Sequence, residues 1–354
     1  MYTPKVVAFG LALVCLCALG GCAHASHASK GTGSALVLPS GFRADVYARR
    51  LRQPTALAYG PDGRLYMTEL DGPEGAGTGR VVSVDRFGKQ RVLLQHLYRP
   101  TGLVWRARKL YIVAGRDVLV TSFGSTGHLL HPKEVVHNLL FNDRSEGQID
   151  LLPNGRLLLE SSGSVRTPHS GQLLTLLPGG KPETLATGLE NAYAHAVDPA
   201  SGRIFTSDIE QDSVDHKAPP EKINLVRAGA DYGWPRCYGS RLPARNRDGT
   251  ARICARTEPP VVTFPAHTTP AGLTFYQRSD FPPVYRDVLY VALWNGDPGR
   301  VMRITLRSRY GRLKGTATQF IGGLKNPIDL LPDDHAGLLV LDYGADVLYR
   351  VHRP

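Results

Sequence analysis

A short phrase recurs six times along this chain of 354 residues. Each copy contains an apolar pair, a turn and a second apolar run, as in ALAYGPDGRLYMTE from Ala56 and QIDLLPNGRLLLES from Gln148. The second residues of the copies are spaced by 46, 46, 46, 78 and 55 residues; they are Leu57, Leu103, Ile149, His195, Leu273 and Ile328. Two strands and a turn repeated at such a period are typical of a β-propeller. We therefore predict an all-β fold, with a single six-bladed propeller over residues 38–354.

Three further features refine this prediction. Pro-Asp-Gly and Pro-Asn-Gly turns suit tight hairpins, because Gly accepts a positive φ and Asp or Asn bonds the local backbone. The segment GFRADVYA (41–48) is expected to pair with DVLYRVHR near the C-terminus, so that both chain ends close the ring. The 78-residue gap between the fourth and fifth copies predicts an insertion of roughly 30 residues.

The N-terminus has the pattern of an export signal. Lys5 precedes an apolar run, Val6–Leu19, which is too short to span a bilayer as a helix. The following Leu-Gly-Gly-Cys resembles a bacterial lipobox, in which Cys22 is lipidated; a cleaved signal with an incidental cysteine is the alternative. We predict a lipoprotein signal over 1–21, a flexible tether over 22–37, and a lipid anchor in the bacterial envelope, at the periplasmic face of the outer membrane.

Cysteine usage and charge narrow the possible partners. Once Cys15 and Cys17 leave with the signal and Cys22 carries lipid, Cys237 and Cys254 remain as a pair in an oxidising compartment. We predict a disulfide between them, with two buried free thiols as the alternative. The formal charge of +11 comes mostly from scattered single Lys and Arg residues, so we expect no nucleic-acid partner. We also expect a monomer.

The segment KINLVRAGADYGWP (222–235) resembles the EINLV…YGWP segment of the soluble pyrroloquinoline-quinone (PQQ) sugar dehydrogenases of the glucose and sorbosone type. GFRADVYARRLRQPTALAYGPDGRLYMTE from Gly41 resembles the first blade of the sorbosone-type members. The similarity extends from Leu38 to the C-terminus. It implies a six-bladed propeller with PQQ and calcium over the central channel, a histidine base, and arginines that hold the quinone.

Several positions depart from that family pattern. Arg144, followed by Glu146, takes the place of the base histidine, and Glu190 replaces the arginine of the GLRN motif while Asn191 is retained. Asn326 stands before the last turn, where the family shows arginines. The resemblance thus implies Glu190, Asn191 and Asn326 as cofactor-binding positions. Glu190 would repel a tricarboxylate unless a cation compensates.

Other polar residues are candidates for channel chemistry. His267 stands where sorbosone-type members also have a histidine, so it joins Arg144 and Glu146 as a channel candidate. Glu146 and Glu190 could form an acid/base pair, or both could pair with Arg144. His195 replaces an apolar residue of the repeat and is interpreted as a core histidine.

An acidic run follows the fourth copy of the repeat. Asp208, Glu210 and Asp212 offer oxygen ligands at alternating positions, which calcium prefers. A solvated acidic loop is the alternative. The sequence therefore leaves the metal site open as a prediction.

The resemblance implies a PQQ-dependent sugar dehydrogenase-like lipoprotein that oxidises a sugar hydroxyl or aldehyde. Two alternatives remain open at this point. One is a non-catalytic propeller that binds an envelope glycan or a protein partner. The other is a metal-dependent hydrolase of the gluconolactonase kind, which shares the architecture.

Overall fold

The computed structural model describes residues 36–125, 127–139, 147–167, 170–177, 179–296 and 298–354. Within these ranges the chain forms six four-stranded antiparallel sheets, the blades of a six-bladed β-propeller. The predicted fold class is therefore confirmed. Strands are numbered in chain order, and each blade is given from its inner to its outer strand.

The first three blades follow the chain without interruption. Blade 1 contains β2 (Pro54–Tyr59), β3 (Leu65–Glu69), β4 (Gly79–Val84) and β5 (Gln90–Leu97). Blade 2 contains β6 (Pro100–Arg106), β7 (Lys109–Ala114), β8 (Asp117–Ser122) and β9 (Lys133–Val136). Blade 3 contains β10 (Ile149–Leu151), β11 (Leu157–Ser161), β12 (Gln172–Leu176) and β13 (Pro182–Thr187).

The last three blades hold the insertion and the ring closure. Blade 4 contains β14 (His195–Val197), β15 (Ile204–Asp208), β16 (Glu221–Leu225) and β19 (Val262–Phe264). Blade 5 contains β20 (Pro270–Tyr276), β21 (Val288–Leu293), β22 (Gly299–Arg309) and β23 (Arg312–Leu324). Blade 6 contains β24 (Pro327–Pro332), β25 (Leu338–Asp342), β26 (Val347–His352) and, outermost, β1 (Arg43–Arg49).

The N-terminal strand closes the ring, as predicted. β1 pairs antiparallel with β26, from Arg43 opposite His352 to Arg49 opposite Val347. His352 Nε2 also lies 2.8 Å from Asp45 Oδ2 across this pair. The first strand of the propeller therefore covers the edge that the last strand would otherwise expose.

The repeated phrase forms the two inner strands of each blade because its apolar positions are buried between neighbouring blades. The six residues that define the spacing, including His195, are all buried. His195 Nδ1 lies 3.1 Å from Asp150 Oδ2, which gives this core histidine a polar partner. The predicted turn chemistry is also present, since Gly63 and Gly155 adopt φ values of 73° and 76°.

The insertion separates the third and fourth strands of blade 4. It contains the short strands β17 (Cys237–Tyr238) and β18 (Leu242–Pro243), and the α-helix α1 (Ala251–Cys254). Short 3₁₀ turns cover Arg245–Arg247 here, and Pro283–Tyr285 and Tyr343–Ala345 elsewhere. The predicted disulfide is present, with Cys237 and Cys254 Cα atoms 5.6 Å apart. Among the described residues, none of the helices has the length and apolar character needed to cross a bilayer.

Candidate functional site

A cavity of about 330 Å³ opens at the end of the channel where the inner strands begin. We call it the upper cavity. Its wall comes mostly from residues before or at the start of the inner strands and after the second strands, together with Glu221 at the start of β16. Those used below are Asn191, Glu210, Asp212, Glu221, His267, Trp294 and Tyr343.

Two aromatic rings form one side of the upper cavity. Trp294 follows β21 and Tyr343 follows β25, and their ring centroids are 4.7 Å apart. Asn326 positions this pair, because its Nδ2 donates to the Trp294 carbonyl at 3.2 Å. Its backbone N–H is held in turn by Asp342 Oδ1 at 2.9 Å.

A buried charge cluster reaches the wall of the cavity at Glu210. Lys222 Nζ lies 2.9 Å from Asp208 Oδ2 and 2.5 Å from Glu210 Oε1. This contact follows from strand register, since Asp208 and Lys222 are direct partners in the pairing of β15 with β16. Asp208 Oδ1 also accepts the backbone N–H groups of Glu190 and Asn191, which fixes the loop before β14.

Burial shifts the titration of this cluster. Burial raises the pKa of Glu210 to about 7; the Lys222 ammonium opposes this shift and the Asp208 carboxylate adds to it. Burial likewise raises the pKa of Glu221 to about 7, although this carboxylate accepts the Glu210 backbone N–H at 2.8 Å. Burial alone would lower the pKa of Lys222, but Asp208 and Glu210 outweigh it and raise that pKa.

Two buried acceptors on the cavity wall have no hydrogen-bond donor within the described part of the chain. They are Glu210 Oε2 and Asn191 Oδ1. Both side chains are nearly inaccessible, with residue exposures of 4% each. Because an unsatisfied buried acceptor costs free energy, this wall suits a ligand that brings N–H or O–H groups.

The charge on the wall is one-sided. Among the described residues that line the upper cavity, four are carboxylates and none is a lysine or arginine; the acids are Glu74, Glu210, Asp212 and Glu221. Arg99 pairs with Glu74 from outside this lining. The described wall therefore favours neutral or cationic ligands over anions.

The structure brings only some of the predicted site residues together. His267 lies at the rim, with its side chain 54% exposed and its Nδ1 3.9 Å from Asp212 Oδ1. Asn191 lines the cavity, whereas Glu190 faces a neighbouring depression beside Trp234. Asn326 lies behind the aromatic pair. Their predicted roles toward a cofactor stay predictions.

Arg144 and Glu146, the channel candidates from the third blade, lie outside the described residues, as does Cys22. The predicted acid/base pair of Glu146 and Glu190 therefore stays a prediction. Asp208 and Glu210, predicted as metal ligands, have the Lys222 ammonium between them, while Asp212 is 87% exposed. A calcium site at these three residues stays a prediction.

Sequence reasoning did not single out Glu221, Lys222, Trp294 or Tyr343 as site residues. Lys222 begins the KINLV segment, and Glu221 directly precedes it. Two adjacent charged residues at the start of a strand next to an acidic run were the available signal. Trp294 and Tyr343 come from different blades and share no local pattern.

The Glucose / Sorbosone dehydrogenase family model matches residues 151–323, which extend from blade 3 to the outer strand of blade 5. The predicted resemblance to this family is therefore confirmed. A protein of Borreliella burgdorferi, described as uncharacterized, is 23% identical over 360 residues, covering 90% of this chain and 91% of that protein.

Solved structures of a carbohydrate-active enzyme and of sugar dehydrogenases share the fold. A carbohydrate-active enzyme of family AA12 from Trichoderma reesei has a TM-score of 0.75 at 16% identity, covering 91% of this chain and 98% of that one. A putative glucose dehydrogenase of Thermus thermophilus has a TM-score of 0.69 at 20% identity, covering 88% and 100%. The PQQ-bound aldose sugar dehydrogenase of Streptomyces coelicolor has a TM-score of 0.67 at 17% identity, covering 89% and 100%.

The described wall of the upper cavity does not fit PQQ as its resident cofactor. PQQ carries three carboxylates, which require cationic side chains or metal ions as partners. The described lining offers carboxylates and two unpartnered acceptors instead. No step of a reaction is therefore derived through the quinone.

Proposed function

We propose that this protein is a sugar-binding propeller of the glucose and sorbosone dehydrogenase type, and that its upper cavity takes a monosaccharide unit. The observation that carries this proposal is the pair of buried acceptors without donors, Glu210 Oε2 and Asn191 Oδ1. Sugar hydroxyls are hydrogen-bond donors as well as acceptors. A sugar bound at this wall would donate to these oxygens after a small side-chain movement opens them to the cavity.

The other side of the cavity supports the same ligand class. Trp294 and Tyr343 offer ring surface for the C–H face of a sugar, and the amphipathic Tyr can also reach a hydroxyl. A cavity of about 330 Å³ is within the usual range for small-molecule sites. The ligand is either a free sugar or the sugar unit of an envelope glycan.

Oxidation of the bound sugar is a second candidate function, which the family match favours. Glu210 and Glu221, with pKa values of about 7, are suited to accept a hydroxyl proton near neutral pH. Such an oxidation also requires a two-electron acceptor that takes the hydride the sugar loses, such as a quinone. The family's PQQ and calcium belong to this candidate as the cofactors to be tested.

Calorimetric titration of glucose into the full-length protein, purified in detergent, tests the binding proposal. We expect saturable binding that Asn191→Ala weakens about tenfold, since a buried hydrogen bond is lost. Glu183→Gln, a surface carboxylate on blade 3, is the control and should bind like the wild type. Absence of binding to glucose, galactose and xylose would refute sugar binding at this cavity.

A parallel titration with PQQ and calcium, followed by a dye-linked oxidation assay, separates binding from catalysis. Sugar binding without quinone binding would support the binding role. Saturable quinone binding with sugar-dependent dye reduction would support the dehydrogenase role instead.

We also propose that the protein is exported and anchored through a lipid on Cys22. The lipobox-like sequence supports this proposal, and a disulfide between Cys237 and Cys254 fits an oxidising compartment. Mass spectrometry of the mature N-terminus tests it. A diacylated Cys22 is the expected result, and an unmodified N-terminus beyond residue 22 would contradict it.

A further inference from the structure

The buried part of the upper cavity has more negative than positive groups. Asp208, Glu210 and Glu221 are buried carboxylates, and Lys222 is the buried cation that the first two share. Lys222 contacts Asp208 and Glu210, whereas Glu221 receives a backbone N–H from Glu210 at 2.8 Å. With all four groups ionised, the cluster carries an excess of negative charge next to the ligand space.

The Glu210 oxygen that lacks a hydrogen-bond donor marks the point at which a ligand would meet this charge. Oε1 contacts Lys222, while Oε2 has no hydrogen-bond donor in the described part of the chain. Glu221 and Asn191 line the same cavity as Glu210. A ligand donor placed here would meet an ionisable carboxylate, and a charged donor forms a stronger hydrogen bond with it than a hydroxyl does.

From this arrangement we infer that the upper cavity prefers a sugar that carries a free amino group, protonated as an ammonium. The inference rests on the proposed sugar binding and specifies its ligand class. The ammonium would donate to Glu210 Oε2 and to Glu221, where it adds the positive charge that the cluster lacks. Sugars with a carboxylate, such as glucuronic acid, would be repelled by the same groups.

Three sugars that differ only in the group at one carbon test this inference at pH 7 on the full-length protein in detergent. Glucosamine carries the ammonium, glucose has a hydroxyl at that position, and N-acetylglucosamine has a neutral amide. We expect glucosamine to bind at least about tenfold more tightly than glucose, because a charge-assisted hydrogen bond replaces a neutral one. Glucuronic acid should bind more weakly than glucose.

Glu221→Gln is the decisive variant, since it keeps the shape and an acceptor but removes the charge. The ratio of glucosamine affinity to glucose affinity should fall to about twofold or less, whatever the absolute affinity for glucose in this variant. Glu183→Gln removes one exposed carboxylate far from the cavity and should keep the full preference. Melting curves of both variants verify that the fold is intact.

The outcomes distinguish the two proposals. Equal affinities for glucose and glucosamine in the wild type, or a preference that survives in Glu221→Gln, would overturn the amino-sugar inference and leave sugar binding in place. Absence of binding to all four sugars would instead refute the proposed function.

Discussion

Lys222 is the residue on which the site cluster depends most. Its ammonium contacts two buried carboxylates, Asp208 and Glu210, and is itself fully enclosed. Removing one partner of a buried ion pair strongly lowers the free energy of unfolding, because the remaining charge stays buried without compensation. The cluster therefore has a structural role in addition to its place on the cavity wall.

We predict that Lys222→Met lowers the free energy of unfolding by about 3–5 kcal/mol at pH 8, measured by urea denaturation. The loss should be smaller at pH 5, because Glu210, whose pKa burial raises to about 7, is then protonated. Lys181→Met, at an exposed position on blade 3, serves as control and should change little. Equal stability of the Lys222 variant and the wild type at pH 8 would contradict this role.

The pH dependence of stability has a sign that follows from Glu210 and Glu221. Their pKa values rise from 4.5 in the unfolded chain to about 7 in the folded one, so the folded state binds more protons between these values. Their contribution to stability is fully present below about pH 4.5 and is lost as the pH rises through about 7. Asp329, at the channel, acts in the same direction, since burial raises its pKa to about 7.

We therefore expect the melting temperature to fall between pH 5 and pH 7 through these groups. Glu221→Gln should fall less steeply over that interval, because it removes one of the titrating groups. Calorimetry in buffers of constant ionic strength measures both slopes. Identical slopes in the variant and the wild type would mean that Glu221 titrates normally.

At the scale of elements, the insertion of blade 4 depends on its disulfide. The linked residues, Cys237 and Cys254, are 17 apart in sequence, and the segment between them contains β17, β18 and α1. Asp215 adds a second tie, since its carboxylate accepts the backbone N–H groups of Arg245 and Asn246. The disulfide thus joins the two ends of the loop, and Asp215 holds its middle.

Replacing both cysteines by serine should lower the free energy of unfolding by roughly 3 kcal/mol, through greater freedom of the unfolded chain. Urea denaturation of the oxidised wild type and of the double variant measures the difference. A reducing agent should bring the wild type close to the variant and leave the variant unchanged. A variant as stable as the oxidised wild type would show that the loop is held by its other contacts.

The elements also show what could be predicted from sequence. The inner strands were predictable because their repeated apolar residues, such as Leu57 and Leu273, are buried in every blade. The contact of Lys222 with Asp208 was not, because it depends on the register of β15 against β16. The aromatic pair was also missed, since Trp294 and Tyr343 meet only when blades 5 and 6 are adjacent in the ring.

At the scale of the whole molecule, one strand makes the ring continuous. β1 is the outer strand of blade 6, so the first and last strands of the propeller share one sheet. The ring brings the loops of blades far apart in sequence to one cavity. Its integrity is therefore a condition for the site as well as for stability.

We predict that a chain lacking residues 1–49, and hence β1, loses sugar binding and associates into larger species. Without β1, the edge of β26 offers unpaired N–H and C=O groups to other chains. A chain that begins at residue 36 keeps β1 and is the matched control. Size-exclusion chromatography and melting curves compare the two, and a β1-deleted chain that stays monomeric with an unchanged melting temperature would show that five complete blades and three strands suffice to hold the ring.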